Sequence, residues 1–243
     1  MGILITLILW LIDKFLNYYS LSQNLFLMRF HLFLLLIFYF PKYSICQDSF
    51  IRYLIKDIGT IDISSKLELQ EGILQEITDN VEQKIASKLK YEIISGKITF
   101  QQKGLNKFSK ESLDQYARIT ILANIETPGR FEKIQTKIIL SPSELETFDA
   151  TIKKQFIDAY GKIGMKVTSW DTTKIVEINN ISATKVSYKV TLFKAISINV
   201  ETYQFQNYDR EHVITFSYNP TDIENWGDIF DKTINSLIIT NRR

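Results

Sequence analysis

The most regular apolar periodicity in the chain runs through residues 141–164. Leu145, Phe148, Ile152, Phe156 and Tyr160 recur at spacings of three and four, which places them on one helix face. Ser141, Pro142 and Glu144 stand where a capping serine, a first-turn proline and a reciprocating glutamate belong. Gly161 and Gly164 end the helix. Beyond it the period drops to two. Met165–Trp170, Lys174–Ile178, Thr184–Phe193, Ile196–Phe205 and His212–Tyr218 predict five strands, separated by breaks that include Asp171-Thr172, Asn179-Asn180 and Asn207-Tyr208-Asp209-Arg210. Short links between consecutive strands imply antiparallel meanders, not a βαβ array. From about Asp222, Ile223, Trp226, Phe230 and Ile234 share one side of a closing helix with Ile229 adjoining, and Leu237-Ile238-Ile239 makes a short final strand.

The pattern upstream is less regular. Within Arg52–Ser65, the Ile61/Ile63 alternation predicts a strand with one buried face. Ile73, Ile77, Val81, Ile85 and Leu89 recur every four residues and suit a helix, although Gly72 and many β-branched residues oppose it. Tyr91–Phe100 and Tyr116–Ile125 predict strands on either side of a polar surface loop over Gln101–Asp114. After the Thr127-Pro128-Gly129 turn, Phe131–Leu140 carries a fainter strand pattern. The expected class is α+β: one largely antiparallel sheet with flanking helices, in a single domain over residues 47–243.

A leader precedes this domain. Met28-Arg29-Phe30-His31 opens it, Leu32–Phe40 is an unbroken apolar run, and Pro41-Lys42 and Ser44-Ile45-Cys46 close it ahead of Gln47. A basic start, a short apolar core and small residues before a polar flank are the parts of a secretory signal over residues 28–46. Two readings of its end stand. Ser44 and Cys46 suit a signal peptidase cutting before Gln47, or Cys46 is itself the lipidated first residue, with Tyr43 and Ile45 departing from the usual lipoprotein pattern. Met1–Ile12 is apolar but shorter than the ~20 residues a membrane helix needs. Residues 1–27 are either an extension from a misassigned start or part of an anchor over 1–40.

Composition narrows the function. Hydrophobic content of 45% with 23% charge is that of a globular chain. After Cys46 the basic and acidic residues are equal in number, so nothing draws the domain generally to nucleic acid or anionic lipid. Any membrane contact is expected through the N-terminal segment alone. With Cys46 as the only cysteine, the exported part forms no internal disulfide.

Candidate chemistry is sparse. His212 is the one histidine after the leader, too little for a zinc or copper site, and no Gly-x-Ser-x-Gly elbow supplies a nucleophile. Phosphate loops of the Gly-Lys-Ser/Thr type are absent. Lys103, Lys107 and Lys110 make only a modest basic loop, and Asn180-Ile181-Ser182 reads as a turn. Glu144, Glu146, Asp149, Asp158, Asp222, Glu224 and Asp228 sit where solvent-facing or first-turn acids are expected. The notable stock is aromatic. Most of Trp170, Tyr188, Phe193, Phe216, Tyr218 and Trp226 are expected in the core, while Tyr203, Phe205 and Tyr208, with His212, form a candidate binding surface.

A resemblance now enters. The capped helix, the strands Lys174–Ile178 and Ile181–Phe193, the Tyr203-Gln204-Phe205-Gln206-Asn207 strand end, Ile214–Tyr218, and then Trp226…Ile229-Phe230…Ile234…Ser236-Leu237 resemble the PsbP-like family of α/β/α sandwiches over about residues 110–240. That family includes the extrinsic photosystem II subunit, a nuclear Ran-GTPase-binding protein and exported bacterial proteins without assigned roles, to which this chain is most similar. It implies a fold and a habit of binding proteins, with no cofactor and no transferable site residues. The expectation is an exported, non-catalytic binding or accessory protein of the cell envelope, whose partner is an envelope protein or small ligand. The alternatives are a hydrolase built on paired carboxylates and a membrane-tethered structural protein.

Overall fold

The computed structural model describes residues 48–73, 75, 76, 79, 97–107, 115–134, 137–192 and 196–240. Their strands form two sheets. A small one contains β1 (Phe50–Ile55), β2 (Gly59–Ser64) and β10 (Ile238–Ile239), with β2 in the centre. A seven-stranded one contains β3 (Leu67–Leu69), β4 (Ile98–Gln102), β5 (Ala117–Ile125), β6 (Met165–Ile178), β7 (Ile181–Leu192), β8 (Ile196–Asn207) and β9 (Arg210–Tyr218), in the order β3-β4-β5-β9-β8-β7-β6. Neighbouring strands in both are antiparallel.

Alternation along the strands sorts the large sheet into two faces. Ile119, Ile121, Ile181, Ala183, Tyr203, Phe205, Ile214 and Phe216 point to one side. There they join Ile61 and Ile63 of the small sheet and α2 (Ile223–Asn235), whose Trp226, Ile229, Phe230 and Ile234 are buried. Val186, Tyr188, Val190, Ile198 and Val200 point to the other side, where α1 (Pro142–Lys162) brings Phe148, Ile152, Phe156 and Tyr160 down on them. The layers are therefore α1, the large sheet, and α2 beside the small sheet. This is the expected α+β sandwich.

The capping box of α1 forms as its sequence implies: the Glu144 N–H donates to Ser141 Oγ at 3.3 Å and the Ser141 N–H donates to Glu144 Oε2 at 2.7 Å. Asp149, one turn on, receives the Trp170 indole N–H at 2.9 Å. At the far end Tyr160 and Tyr188 bring their hydroxyl oxygens within 2.6 Å.

Several sequence expectations are corrected. The predicted single sheet is two, because β10 pairs with β2 rather than extending the meander. Arg52–Ser65 is a hairpin, turned at Asp57 with φ 63°. Met165–Trp170 and Lys174–Ile178 are one strand, whose bulges between Val167 and Ser169 and between Asp171 and Lys174 interrupt the alternation. Phe131–Leu140 is not a strand among its described residues. Its hydrogen bonds run to the β8–β9 turn and to a side chain, with the Phe131 N–H on Tyr208 O at 3.0 Å and the Ile138 N–H on Ser182 Oγ at 2.8 Å. Gln101 and Gln102, read as loop, are buried in β4. Ile73, Gln75, Glu76 and Asp79 are helical, while Ile77, Val81, Ile85, Leu89, Ile93 and Ile94 lie outside the described residues.

Candidate functional site

The segment that fails to become a strand creates a cleft. Between β5 and α1 the chain crosses the outer face of the large sheet and reaches Ser141, leaving a cavity of about 470 Å³ beneath. Ile138, Ile139, Leu140 and Phe148 make an apolar wall. The floor is the sheet: Ile175 of β6, Ser182 and Thr184 of β7, and Gln204 and Gln206 of β8. Thr184 and Gln204 are direct cross-strand partners. Ile139, 77% exposed, stands at the mouth.

Charge is confined to the rim, where Glu132 and Lys133 come from the crossing segment and Glu144 from the first turn of α1. Lys133 Nζ sits 5.8 Å from the centre of the Tyr208 ring. Glu144 is committed to the cap, and the hydrogen bonds from Ser141 hold its carboxyl below the usual carboxylate range. Opposite Gln206 on β9 lies Glu211, whose carboxyl is pushed up by burial, though it does not line the cleft. The arrangement presents amides and hydroxyls to one side of a bound molecule and hydrocarbon to the other, within the volume range of small-ligand sites. Among the described residues, no cluster of histidine, cysteine and carboxylate side chains is placed to hold a metal ion.

The residues singled out by sequence do not assemble into a surface. Tyr203, Phe205 and His212 face α2 with exposures of 4%, 1% and 0%. His212, expected at a solvated strand start, is instead buried: the alternation His212, Ile214, Phe216 turns it inward with its apolar neighbours. Its Nε2 lies 3.1 Å from Asn207 Nδ2, and its Nδ1 has no partner among the described residues. Tyr208 occupies the β8–β9 turn at φ 65°, half-buried, and belongs to the margin of the cleft through Lys133. Cys46 lies outside the described residues. Sequence reasoning missed Ser182, Thr184, Gln204 and Gln206. The available signal was Gln204 and Gln206 at alternate positions of a strand whose intervening residues are aromatic or buried.

No helix among the described residues is long and apolar enough to cross a membrane. No protein-family model matches the chain, and no curated protein matches it by sequence. Among solved structures it is similar to cyanobacterial PsbP (CyanoP) from Synechocystis sp. PCC 6803, at a TM-score of 0.50 and 9% identity, over 79% of this chain and 93% of that one. The chain therefore has a PsbP-like α+β fold.

Proposed function

We propose that this is an exported, non-catalytic binding protein of the cell envelope, delivered by the leader at residues 28–46, with the α1-side cleft as its ligand site. The observation that carries this reading is the lining of that cleft. An apolar wall of Ile138, Leu140 and Phe148 faces neutral hydrogen-bonding groups on Thr184, Gln204 and Gln206. That combination holds a molecule with one apolar and one polar side, and it supplies no nucleophile beside a base. The PsbP-like fold agrees with an accessory role, and the leader with export.

The test is recovery of the native protein from an envelope fraction, with N-terminal sequencing and mass spectrometry of whatever co-purifies. The expected chain begins at Cys46 or Gln47 and carries a small molecule or protein that is lost when Thr184→Trp fills the cleft. Identical co-purifying material from wild type and T184W would remove the cleft from the proposal. Recovery from the cytosol with residues 28–46 attached would remove export.

A further inference from the structure

A second cleft, of about 450 Å³, lies on the α2 side of the large sheet, where the β2–β3 turn and the end of β4 meet the first turns of α2. Its lining differs in kind from the first. Lys66 and Lys103 stand on it, Gln115 and Asn225 add carboxamides, and no acid is among the lining residues. The acids at the start of α2, Asp222 and Glu224, lie outside it. The nearest acid engaged with the lining is Asp48, whose Oδ1 is 2.8 Å from Lys66 Nζ. Gln102 is held in place, its Nε2 donating to Gln115 O and its Oε1 accepting the Ala117 N–H at 3.2 Å.

Donors are in excess here. Trp226 also lines the cleft, is 3% exposed, and its indole N–H is buried without an acceptor among the described residues. A lost acceptor for a buried donor is costly, so such a group marks where an acceptor is missing. Asn225 and Trp226 belong to the beginning of a 13-residue helix whose N-cap, Asp222, makes no side-chain cap hydrogen bond. The helix dipole adds to the two ammonium groups.

We propose that this cleft is a binding site for a small phosphate-bearing molecule. Two cations without a lining acid complement an anion. The absence of arginine from the lining removes the planar fork that recognises carboxylates in two-point fashion, whereas lysine serves as a point charge for phosphate. The carboxamides of Gln115 and Asn225 supply further N–H donors for a tetrahedral group with several acceptor oxygens.

Two indole resonances make the test internal. Nitrogen-15-labelled protein is titrated with inorganic phosphate, and separately with potassium chloride at matched ionic strength. The Trp226 indole N–H moves saturably with phosphate and not with chloride, while that of Trp170, already bonded to Asp149, stays in place. Lys103→Ala weakens the phosphate response about tenfold or more, as loss of one charge-assisted contact does. No saturable shift up to about 20 mM phosphate, which corresponds to binding weaker than about 2 kcal/mol, overturns the proposal. So does a chloride response of equal size, or an unchanged K103A titration. A third arm uses vesicles containing an anionic phospholipid: a vesicle response without a soluble phosphate response also overturns it, because the site would then be a membrane contact.

Discussion

Thr173 donates both its backbone N–H and its hydroxyl to a single oxygen of Asp149, at 2.7 and 2.6 Å. The same oxygen takes the Trp170 indole N–H. One carboxylate on α1 thereby fastens the bulged stretch of β6, where the sheet ladder alone leaves backbone groups without regular partners. Asp149→Ala would strip the partner from three donors at once. The expected loss is about 2–3 kcal/mol in urea unfolding, with Asp149→Asn recovering part of it. Equal stability of D149A and wild type would show that the bulge is held by packing alone.

Stability is expected to fall on mild acidification, and His212 gives the window. Burial, reinforced by the repulsion of Arg210 and opposed by Asp209 and Asp57, lowers its pKa from the ordinary 6.5 to about 4. Below pH 6.5 the unfolded chain takes up a proton that the folded chain refuses. The folded state is therefore fully favoured above pH 6.5 and loses ground as pH drops toward 4, by about 3 kcal/mol in total. Asp149 acts in the same direction at lower pH. Burial raises its carboxyl, but the bonds from Thr173 and Trp170 and the nearby Lys153 outweigh that and hold it below the usual range. Urea midpoints across pH 7 to 4 check this, and His212→Leu is expected to flatten the profile between 6.5 and 4.

Asn179 ties the β6–β7 turn to the end of α2. It adopts φ 50° and its amide donates to Asn235 O at 2.9 Å and Leu237 O at 2.6 Å, two carbonyls that the helix ladder leaves open. Asn179→Ala loses both bonds and places alanine in the left-handed region, for an expected cost of about 2 kcal/mol. Asn179→Gly keeps the backbone conformation and should lose less. Thermal unfolding of the pair separates the bond from the backbone effect.

Gly59 is required where β2 meets β10. Its φ is +147°, and an added Cβ would overlap the Ile238 carbonyl. Gly59→Ala is expected to detach β10 from the small sheet, at a cost of about 3 kcal/mol or more. Amide exchange at Ile239 and Thr240 is the readout, the Thr240 N–H being bonded to Ile58 O at 3.1 Å in the intact fold.

The parts of this fold that are local in sequence were legible, and those that depend on distant pairing were not. The helix α1 could be read from Ser141, Pro142 and Glu144 because a capping box is complete within four residues. α2 could be read because Trp226, Phe230 and Ile234 stay in phase over the whole helix. The small sheet escaped because nothing near Thr60 announces that its partner is Ile238. β6 read as two strands because a bulge looks like a boundary when only alternation is followed. The burial of His212 was present in its parity with Ile214 and Phe216, but Asp209, Arg210 and Glu211 around it made the stretch look wet. The cleft was hidden for a different reason. Its floor is spread over three strands, and its wall is a segment with no regular structure to predict.

The pairing of β10 with β2 has a consequence for biosynthesis. The small sheet joins the first two described strands to the last, so a nascent chain lacks its clasp until translation is nearly finished. Closing such a long loop is slow, and the unclasped chain stays extended enough to be threaded vectorially. A polypeptide that locks only when its tail arrives is suited to passing through a narrow translocation pore before it folds.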